Sequence, residues 1–147
     1  MRSILDLGTG SGVLAIAAAR ALRRRVLASD NDSIAVRAAR ANAQLNRAGA
    51  LIEVVTANGV NGGTLRQHAP YDLVFANILL RPLQRFAAPL SRLTARGGRV
   101  VLSGLLRSQA NAAIAAYHAL VLERRIDVDG WTTLVMKKPL PPAGRGW

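Results

Sequence analysis

Residues 4–12 read Ile-Leu-Asp-Leu-Gly-Thr-Gly-Ser-Gly, an apolar strand of four residues followed by a glycine-rich loop. An Ala-rich segment typical of a helix comes next, and then a second apolar stretch that ends at Asp30. A strand that turns sharply into a helix needs backbone conformations that residues with a Cβ rarely adopt, and Gly8 and Gly10 provide them. The same loop lets a ligand approach the main chain closely. The order of these segments predicts a nucleotide-cofactor site.

The spacing of the glycines separates two classes of cofactor. The dinucleotide fingerprint G-x-G-x-x-G would place its third glycine at position 13, where this chain has Val13. Asp6 lies two positions before Gly8 and puts a carboxylate at the strand tip, which repels a pyrophosphate and suits the ammonium group of a methionine moiety. Residues 6–12, D-x-G-x-G-x-G, therefore resemble motif I of the class I S-adenosylmethionine-dependent methyltransferases.

Asp30 completes this pattern at the neighbouring strand. It follows the apolar residues 26–29, so we expect it at the carboxyl edge of the sheet, where an acid can accept hydrogen bonds from both hydroxyls of a ribose. The alternative is a glycine-rich turn and a solvated aspartate without a ligand. The ordered context of strand, loop, helix and strand favours the cofactor site.

Composition limits the possible functions. The 147 residues, half of them hydrophobic, predict one folded domain with a real core. The absence of cysteine excludes disulfides, thiolate metal sites and cysteine nucleophiles. His68 and His118 have no second ligand at metal spacing, so we expect solvated side chains and no metal site.

The charge is strongly basic, with 20 Lys and Arg against 8 Asp and Glu. A net charge of +12 is weak support for contact with RNA or the ribosome, because nearly all of it is arginine. We expect the cluster Arg23 to Arg25 to be the exposed end of the first helix. No apolar run has membrane-spanning length and the N-terminus does not read as a signal peptide, so we expect a cytoplasmic protein without membrane contact.

Strand and helix patterns alternate along the rest of the chain. We expect helices from residue 32 or 33 to an end at 46–49, from near Pro82 to Gly97-Gly98, and over 108–118, with a loop at 59–63. Asp129-Gly130 is a two-residue hairpin signal. The fold class is therefore α/β, a Rossmann-like class I methyltransferase fold with a mostly parallel sheet that ends in an antiparallel hairpin. The predicted strands are 4–7, 26–29, 51–55, 71–76, 99–103, 120–128 and 131–137.

Two further motifs specify the family. Residues 77–83 read Asn-Ile-Leu-x-x-Pro-Leu, and residues 102–109 read Leu-Ser-Gly-x-Leu-x-x-Gln. With motif I, and with Trp131 in the final hairpin, they resemble the ribosomal protein L11 methyltransferase (PrmA) family over residues 4–138. Methyltransferases that act on the amino groups of glutamine or adenine typically carry Asn-Pro-Pro-Tyr at residue 77, which this chain does not.

The resemblance assigns roles to site residues. Glycines of the loop line the methionine side of S-adenosylmethionine, Asp30 holds its ribose, and Asn58 lies near its adenine. Asn77 is the predicted catalytic residue, because an amide can orient a neutral amine toward the methyl group. The alternative for Asn77 is a strand-end cap. The predicted cofactor-binding residues are Asp6, Gly8, Thr9, Gly10, Gly12, Asp30, Asn31, Asn58 and Asn77.

The resemblance implies an S-adenosylmethionine-dependent enzyme that methylates lysine or N-terminal amino groups of a ribosomal protein of the large subunit. One alternative is a methyltransferase for RNA or another protein, and a second is an inactive remnant that binds cofactor. Members of the family carry an N-terminal substrate-recognition domain. Because the sequence opens on its first strand, we expect that domain to be absent, residues 1–138 to form the methyltransferase domain, and 139–147 to be a disordered tail. We also expect a monomer.

Overall fold

A mostly parallel sheet with helices on both faces organises the chain in the computed structural model, which describes residues 3–144. The strands are β1 (Ile4–Leu7), β2 (Val26–Asp30), β3 (Ile52–Thr56), β4 (Tyr71–Ala76), β5 (Thr94–Leu106), β6 (Val121–Val128) and β7 (Trp131–Lys137). The helices are α1 (Val13–Leu22), α2 (Ser33–Leu45), α3 (Gly63–His68), α4 (Leu80–Arg85), α5 (Ala87–Leu93) and α6 (Ala110–Ala116), with a 3-10 turn at Arg107–Gln109.

The strand order is β3-β2-β1-β4-β5-β7-β6. The first five strands are parallel, and β7 lies antiparallel between β5 and β6. Asp129 and Gly130 both have positive φ, 51° and 81°, as a two-residue hairpin turn requires. The predicted fold class and the closing antiparallel hairpin are therefore confirmed.

Successive side chains of the parallel strands point to opposite faces of the sheet and pack into two separate hydrophobic cores. Leu5 and Leu27 point to the face covered by α3 to α6, whereas Ile4 and Val26 point to the face covered by α1 and α2. Both faces of β1 are buried, so the strand is apolar without alternation, as in a parallel sheet between two helical layers. The parallel pairing of β1 with β2 and with β4 brings the carboxyl ends of these strands to one edge of the sheet.

The region after Pro82 differs from the prediction of one helix that ends at Gly97-Gly98. The helix breaks at Phe86 because Pro89 has no N–H to donate to the carbonyl of Arg85 and its ring clashes there. The second helix ends at Leu93, and Thr94 already pairs with Tyr71 of β4, so the glycine pair lies within β5 instead.

Two smaller segments also differ. Helix α3 was not predicted, and His68 is its last residue. Residues 139–144 form neither helix nor strand, and 145–147 lie outside the described residues, so disorder of the tail stays a prediction. Among the helices of residues 3–144, none is long and apolar enough to cross a membrane.

Candidate functional site

A cavity of about 400 Å³ lies at the carboxyl edge of the parallel strands. Ligands of open α/β sheets bind at this edge, where loops from adjacent strands diverge. A larger cavity of about 790 Å³ lies at the opposite edge, around Ser3, Arg25 and His68, and contains none of the predicted site residues. We therefore place the candidate site in the smaller cavity. Four of the nine predicted cofactor residues line it: Gly8, Asp30, Asn31 and Asn58.

The glycine loop between β1 and α1 forms one wall of this cavity. Gly8 has a φ of 70°, and a Cβ there would lie 2.6 Å from Cγ2 of Ile78. Both the conformation and the close approach require glycine at this position. Gly12 has a different function, because a Cβ there would lie 3.2 Å from Cβ of Ala39 on α2. Gly12 thus allows α1 and α2 to pack closely, and it does not line the cavity.

Asp6 holds the glycine loop in place through hydrogen bonds. Its carboxylate is buried, and Oδ2 accepts hydrogen bonds from the Thr9 hydroxyl at 2.7 Å and the Ala15 N–H at 3.1 Å. Burial raises the pKa of Asp6 to about 6, although these two hydrogen bonds oppose the rise. Asp6 and Thr9 therefore tie the loop to the start of α1 and lie outside the cavity lining. A contact between Asp6 and a ligand ammonium group stays a prediction.

Asp30 lies at the end of β2, and each of its carboxylate oxygens accepts one hydrogen bond from the backbone. Oδ2 accepts the N–H of Gly10 at 2.9 Å, and Oδ1 accepts the N–H of Asp32 at 3.0 Å. Each carboxylate oxygen can accept about two hydrogen bonds, so each retains a free lone pair. Because Asp30 also lines the cavity, it can accept two further hydroxyl donors from a ligand.

The opposite wall is formed by the segments after β3 and β4. At the rim, Asn58 after β3 and Asn31, which follows β2 instead, are both exposed, so their side chains are free to meet a polar ligand. Gly59, with a φ of 69°, packs against Phe86, since a Cβ there would lie 3.0 Å from the ring. Pro82 and Phe86 make this wall apolar, which suits the flat face of a nucleobase.

Sequence reasoning missed three cavity residues of special interest. Ser29 is 1% exposed and lines the cavity, and within the described residues its Oγ has no hydrogen-bond partner. A buried hydroxyl without a partner is costly, so this atom marks a place for a ligand or water atom. Ser29 directly precedes Asp30 at the carboxyl end of β2, so its position at this edge of the sheet could have indicated it. Arg85 and Phe86 lie at the end of α4, one helical turn after Pro82, which also lines the cavity, so helical spacing could have indicated them.

Asn77 follows β4 directly and is exposed beside the cavity, next to Ile78, which lines it. Within residues 3–144 no hydrogen bond to the Asn77 side chain is present, so the structure gives no support to a strand-end cap. The side chain instead lies against Gly104 of β5. An amide in this position is available to a second ligand that enters from the edge of the sheet.

The histidines are separate from this site. His68 Nδ1 lies 2.8 Å from the carbonyl of Thr64, and Nε2 lies 3.4 Å from a carboxylate oxygen of Glu53. Within residues 3–144 there is no group of three or more His, Asp or Glu side chains that could hold a metal ion. The candidate site is thus built from glycines, one acid, amides, the Ser29 hydroxyl, Arg85 and an apolar wall.

Comparison with known proteins relates this chain to one protein family. The sequence pattern of the family described as ribosomal protein L11 methyltransferase (PrmA) matches residues 1–139. A ribosomal protein L11 methyltransferase from Bradyrhizobium diazoefficiens is 51% identical over 138 residues, which are 92% of this chain and 47% of that protein. A relative with the same description from Rhodopseudomonas palustris is 50% identical over 139 residues, 93% of this chain and 47% of its own length. The chain therefore spans about half the length of these relatives.

Solved structures agree on the fold. A ribosomal protein L11 methylase from Lactobacillus delbrueckii subsp. bulgaricus superposes with a TM-score of 0.80 at 27% identity, over 93% of this chain and 70% of that one. An RNA methyltransferase from Salinibacter ruber, solved in complex with S-adenosyl-L-homocysteine, gives 0.75 at 21% identity over 98% of this chain and 85% of that one. At 21% identity the second likeness shows the fold alone. On the family match and the identities near one half, the chain belongs to the ribosomal protein L11 methyltransferase (PrmA) family.

Proposed function

We propose that this chain binds S-adenosylmethionine and transfers its methyl group to lysine or N-terminal amino groups of ribosomal protein L11. The observation that carries the proposal is the meeting of Gly8, Asp30 and Asn58 around one cavity, with Asn77 beside it. Family membership and the descriptions of the relatives support the reaction and the substrate.

The residues present fit this cofactor. The free lone pairs of Asp30 suit the two ribose hydroxyls, and the apolar wall with Asn58 at its rim suits an adenine. Gly8 places no side chain of its own between its backbone and the methionine part, and Ile78 packs beside it. The unpaired Oγ of Ser29 offers a further polar atom at the cavity floor. When bound, the cofactor supplies a methyl group that its positive sulfonium already activates.

The chain itself has to align the acceptor. The exposed Asn77 amide can hydrogen-bond an incoming amine and aim its lone pair toward the cavity. The nearby Pro82 and Phe86 remove water from the cofactor side, which strengthens such hydrogen bonds. Since the amine must lose its proton before it reacts, we expect turnover to rise with pH toward the pKa of the acceptor.

Recognition of the substrate is a separate requirement. Because the relatives are about twice as long as this chain, we propose that their remaining half contributes to binding of the ribosomal protein. The 147-residue chain should then methylate L11 slowly, and fusion to the remaining half of the Bradyrhizobium relative should raise kcat/KM. Equal rates for the chain and the fusion would contradict this part of the proposal.

The basic surface supports a second candidate, transfer to RNA. The net charge is +12, and Arg23, Arg24 and Arg25 are exposed after α1. An RNA complex that weakens steeply with salt, together with methyl transfer to RNA and none to L11, would favour it. We further propose a monomer in the cytoplasm, which sedimentation and cell fractionation would test. A chain that binds S-adenosylhomocysteine but transfers no methyl group to either substrate, even in the fusion, would be an inactive remnant.

The decisive assay uses purified ribosomal protein L11 and labelled S-adenosylmethionine with the fusion protein. Label on lysine or N-terminal amino groups, located by mass spectrometry, is the expected result. A fusion with Asp30→Ala is the control, since it should lose transfer together with cofactor binding. Absence of label with a fusion that binds S-adenosylhomocysteine would contradict the proposed function.

A further inference from the structure

We infer that Gly104 is a positioning residue for Asn77: a bulge in β5 opens the space in which the Asn77 side chain lies, and glycine keeps that space open. The inference deepens the proposed function, on which its activity measurement rests, because it explains how the acceptor-orienting amide is held. The contact itself is between residues 27 positions apart in sequence: Asn77 directly follows β4, and Gly104 lies in β5, the parallel neighbour of β4.

The bulge is visible in the register between β5 and β7. Leu102 lies opposite Leu134, and Leu105 lies opposite Thr132. Two residues of β5, Gly104 among them, therefore face a single residue of β7. A bulge of this kind bends the strand and redirects it, and it is frequent next to functional sites. Here it falls at the carboxyl edge of the sheet, beside the end of β4.

Gly104 has a φ of 76°, a region that L side chains rarely adopt. A Cβ at this position would lie 3.4 Å from Cγ of Asn77 and would overlap with its Oδ1. The two strands cannot separate to relieve that overlap, because Ala76 of β4 is paired with Leu102 of β5. These paired residues lie one position before Asn77 and two positions before Gly104. The Asn77 side chain, which is exposed, would have to turn away instead.

Gly130 provides a matched control within the same chain. It has nearly the same φ, 81°, but a Cβ there would meet no atom within 4 Å. Gly104→Ala and Gly130→Ala thus impose a similar backbone cost, and only the first displaces Asn77. Thermal unfolding should show Tm losses for the two variants that agree within about 3 °C.

The first measurement is the nitrogen–proton spectrum of the side-chain amides of the 147-residue chain. The Asn77 signal is identified as the one that disappears in Asn77→Ala. It should shift in Gly104→Ala and stay in place in Gly130→Ala. This measurement needs no catalysis, so it decides the contact even if the proposed function fails. An unshifted Asn77 signal in Gly104→Ala would overturn the inference.

The second measurement is methyl transfer by the fusion protein described above. Gly104→Ala should lower kcat about 10- to 100-fold, as misplacement of an orienting group does, while S-adenosylhomocysteine affinity stays within about threefold. Asn77→Ala combined with Gly104→Ala should be no slower than Asn77→Ala alone, since both remove the same interaction. If the kcat loss of the double variant equals the product of the two single losses, Gly104 does not act through Asn77.

Discussion

The backbone N–H of Gly10 donates a hydrogen bond of 2.9 Å to Oδ2 of Asp30, which joins the loop after β1 to the end of β2. Asp30 also accepts the N–H of Asp32 on its other oxygen, so its carboxylate is fixed before any ligand arrives. Preorganised acceptors bind a ligand with less loss of conformational freedom. The same acid thus closes the glycine loop and faces the cavity.

Substitution of Asp30 should separate these two roles. Asp30→Ala should weaken S-adenosylhomocysteine binding by about 1–3 kcal/mol or more, because it removes charged hydrogen bonds to the ribose hydroxyls and releases the loop. Asp30→Asn keeps one oxygen for Gly10 and should lose less affinity. Isothermal titration calorimetry gives both values. Affinities equal to that of the unaltered chain would exclude Asp30 from the site.

Asp6 should give the chain an unusual pH dependence of stability. Burial raises its pKa to about 6 from the ordinary value of 3.8, so between these pH values the folded state binds more protons than the unfolded state. The free energy of unfolding should therefore fall as pH rises from about 4 to about 6, by at most about 3 kcal/mol from this group, and then level off.

Asp6→Asn is the variant that isolates this effect. It keeps an oxygen for Thr9 and Ala15 but does not titrate, so its stability relative to the unaltered chain should increase between pH 4 and pH 6. Urea unfolding of both proteins at several pH values measures the difference between their free energies of unfolding. The contributions of the other carboxylates to the pH dependence cancel in this difference. Parallel stability curves would show that Asp6 has an ordinary pKa.

Gly8 and Gly10 offer a matched pair in the loop itself. Both have positive φ, 70° and 57°, but a Cβ at Gly8 would lie 2.6 Å from Cγ2 of Ile78, whereas one at Gly10 would meet nothing within 4 Å. Gly10→Ala should cost the backbone strain alone, about 1–2 kcal/mol. Gly8→Ala should cost about 1–3 kcal/mol more because of overpacking. Chemical unfolding checks this order, and the reverse order would contradict the loop geometry.

The sequence predicts those parts of the site that local spacing determines. Gly8 directly follows β1 and Asp30 is the last residue of β2, so the parallel topology brings both to one edge of the sheet, where the structure has them. The same reasoning could have found Ser29, which directly precedes Asp30 at the carboxyl end of β2. Asp6 was expected to face a ligand, but its burial and its hydrogen bonds to Thr9 and Ala15 depend on how α1 packs over the loop.

Contacts between distant segments could not be predicted in this way. Pro89 breaks, at Phe86, a helix that periodicity presents as continuous. The glycine pair at 97–98 looks like a helix stop, but pairing with β4 draws it into a strand. The contact of Asn77 with Gly104 needs the register of three strands, which no local pattern contains.

Asn77 should affect turnover far more than cofactor binding. If its amide orients the acceptor amine, Asn77→Ala in the fusion protein should lower kcat by about 10- to 100-fold. S-adenosylhomocysteine affinity should stay within about threefold, because the contact matters chiefly in the aligned transition state. Steady-state kinetics and calorimetry on the same preparation provide both numbers. An unchanged kcat in Asn77→Ala would contradict a catalytic role for Asn77.

The most direct test of the account is calorimetric titration of the 147-residue chain with S-adenosylhomocysteine and, separately, with NAD. Val13 occupies the place of the third dinucleotide glycine, and Asp6 beneath the loop disfavours a pyrophosphate. We predict saturable binding of one S-adenosylhomocysteine per chain and no saturable binding of NAD at the same concentrations. Binding of NAD without binding of S-adenosylhomocysteine would contradict the assignment of the cavity to a methyl-donor cofactor.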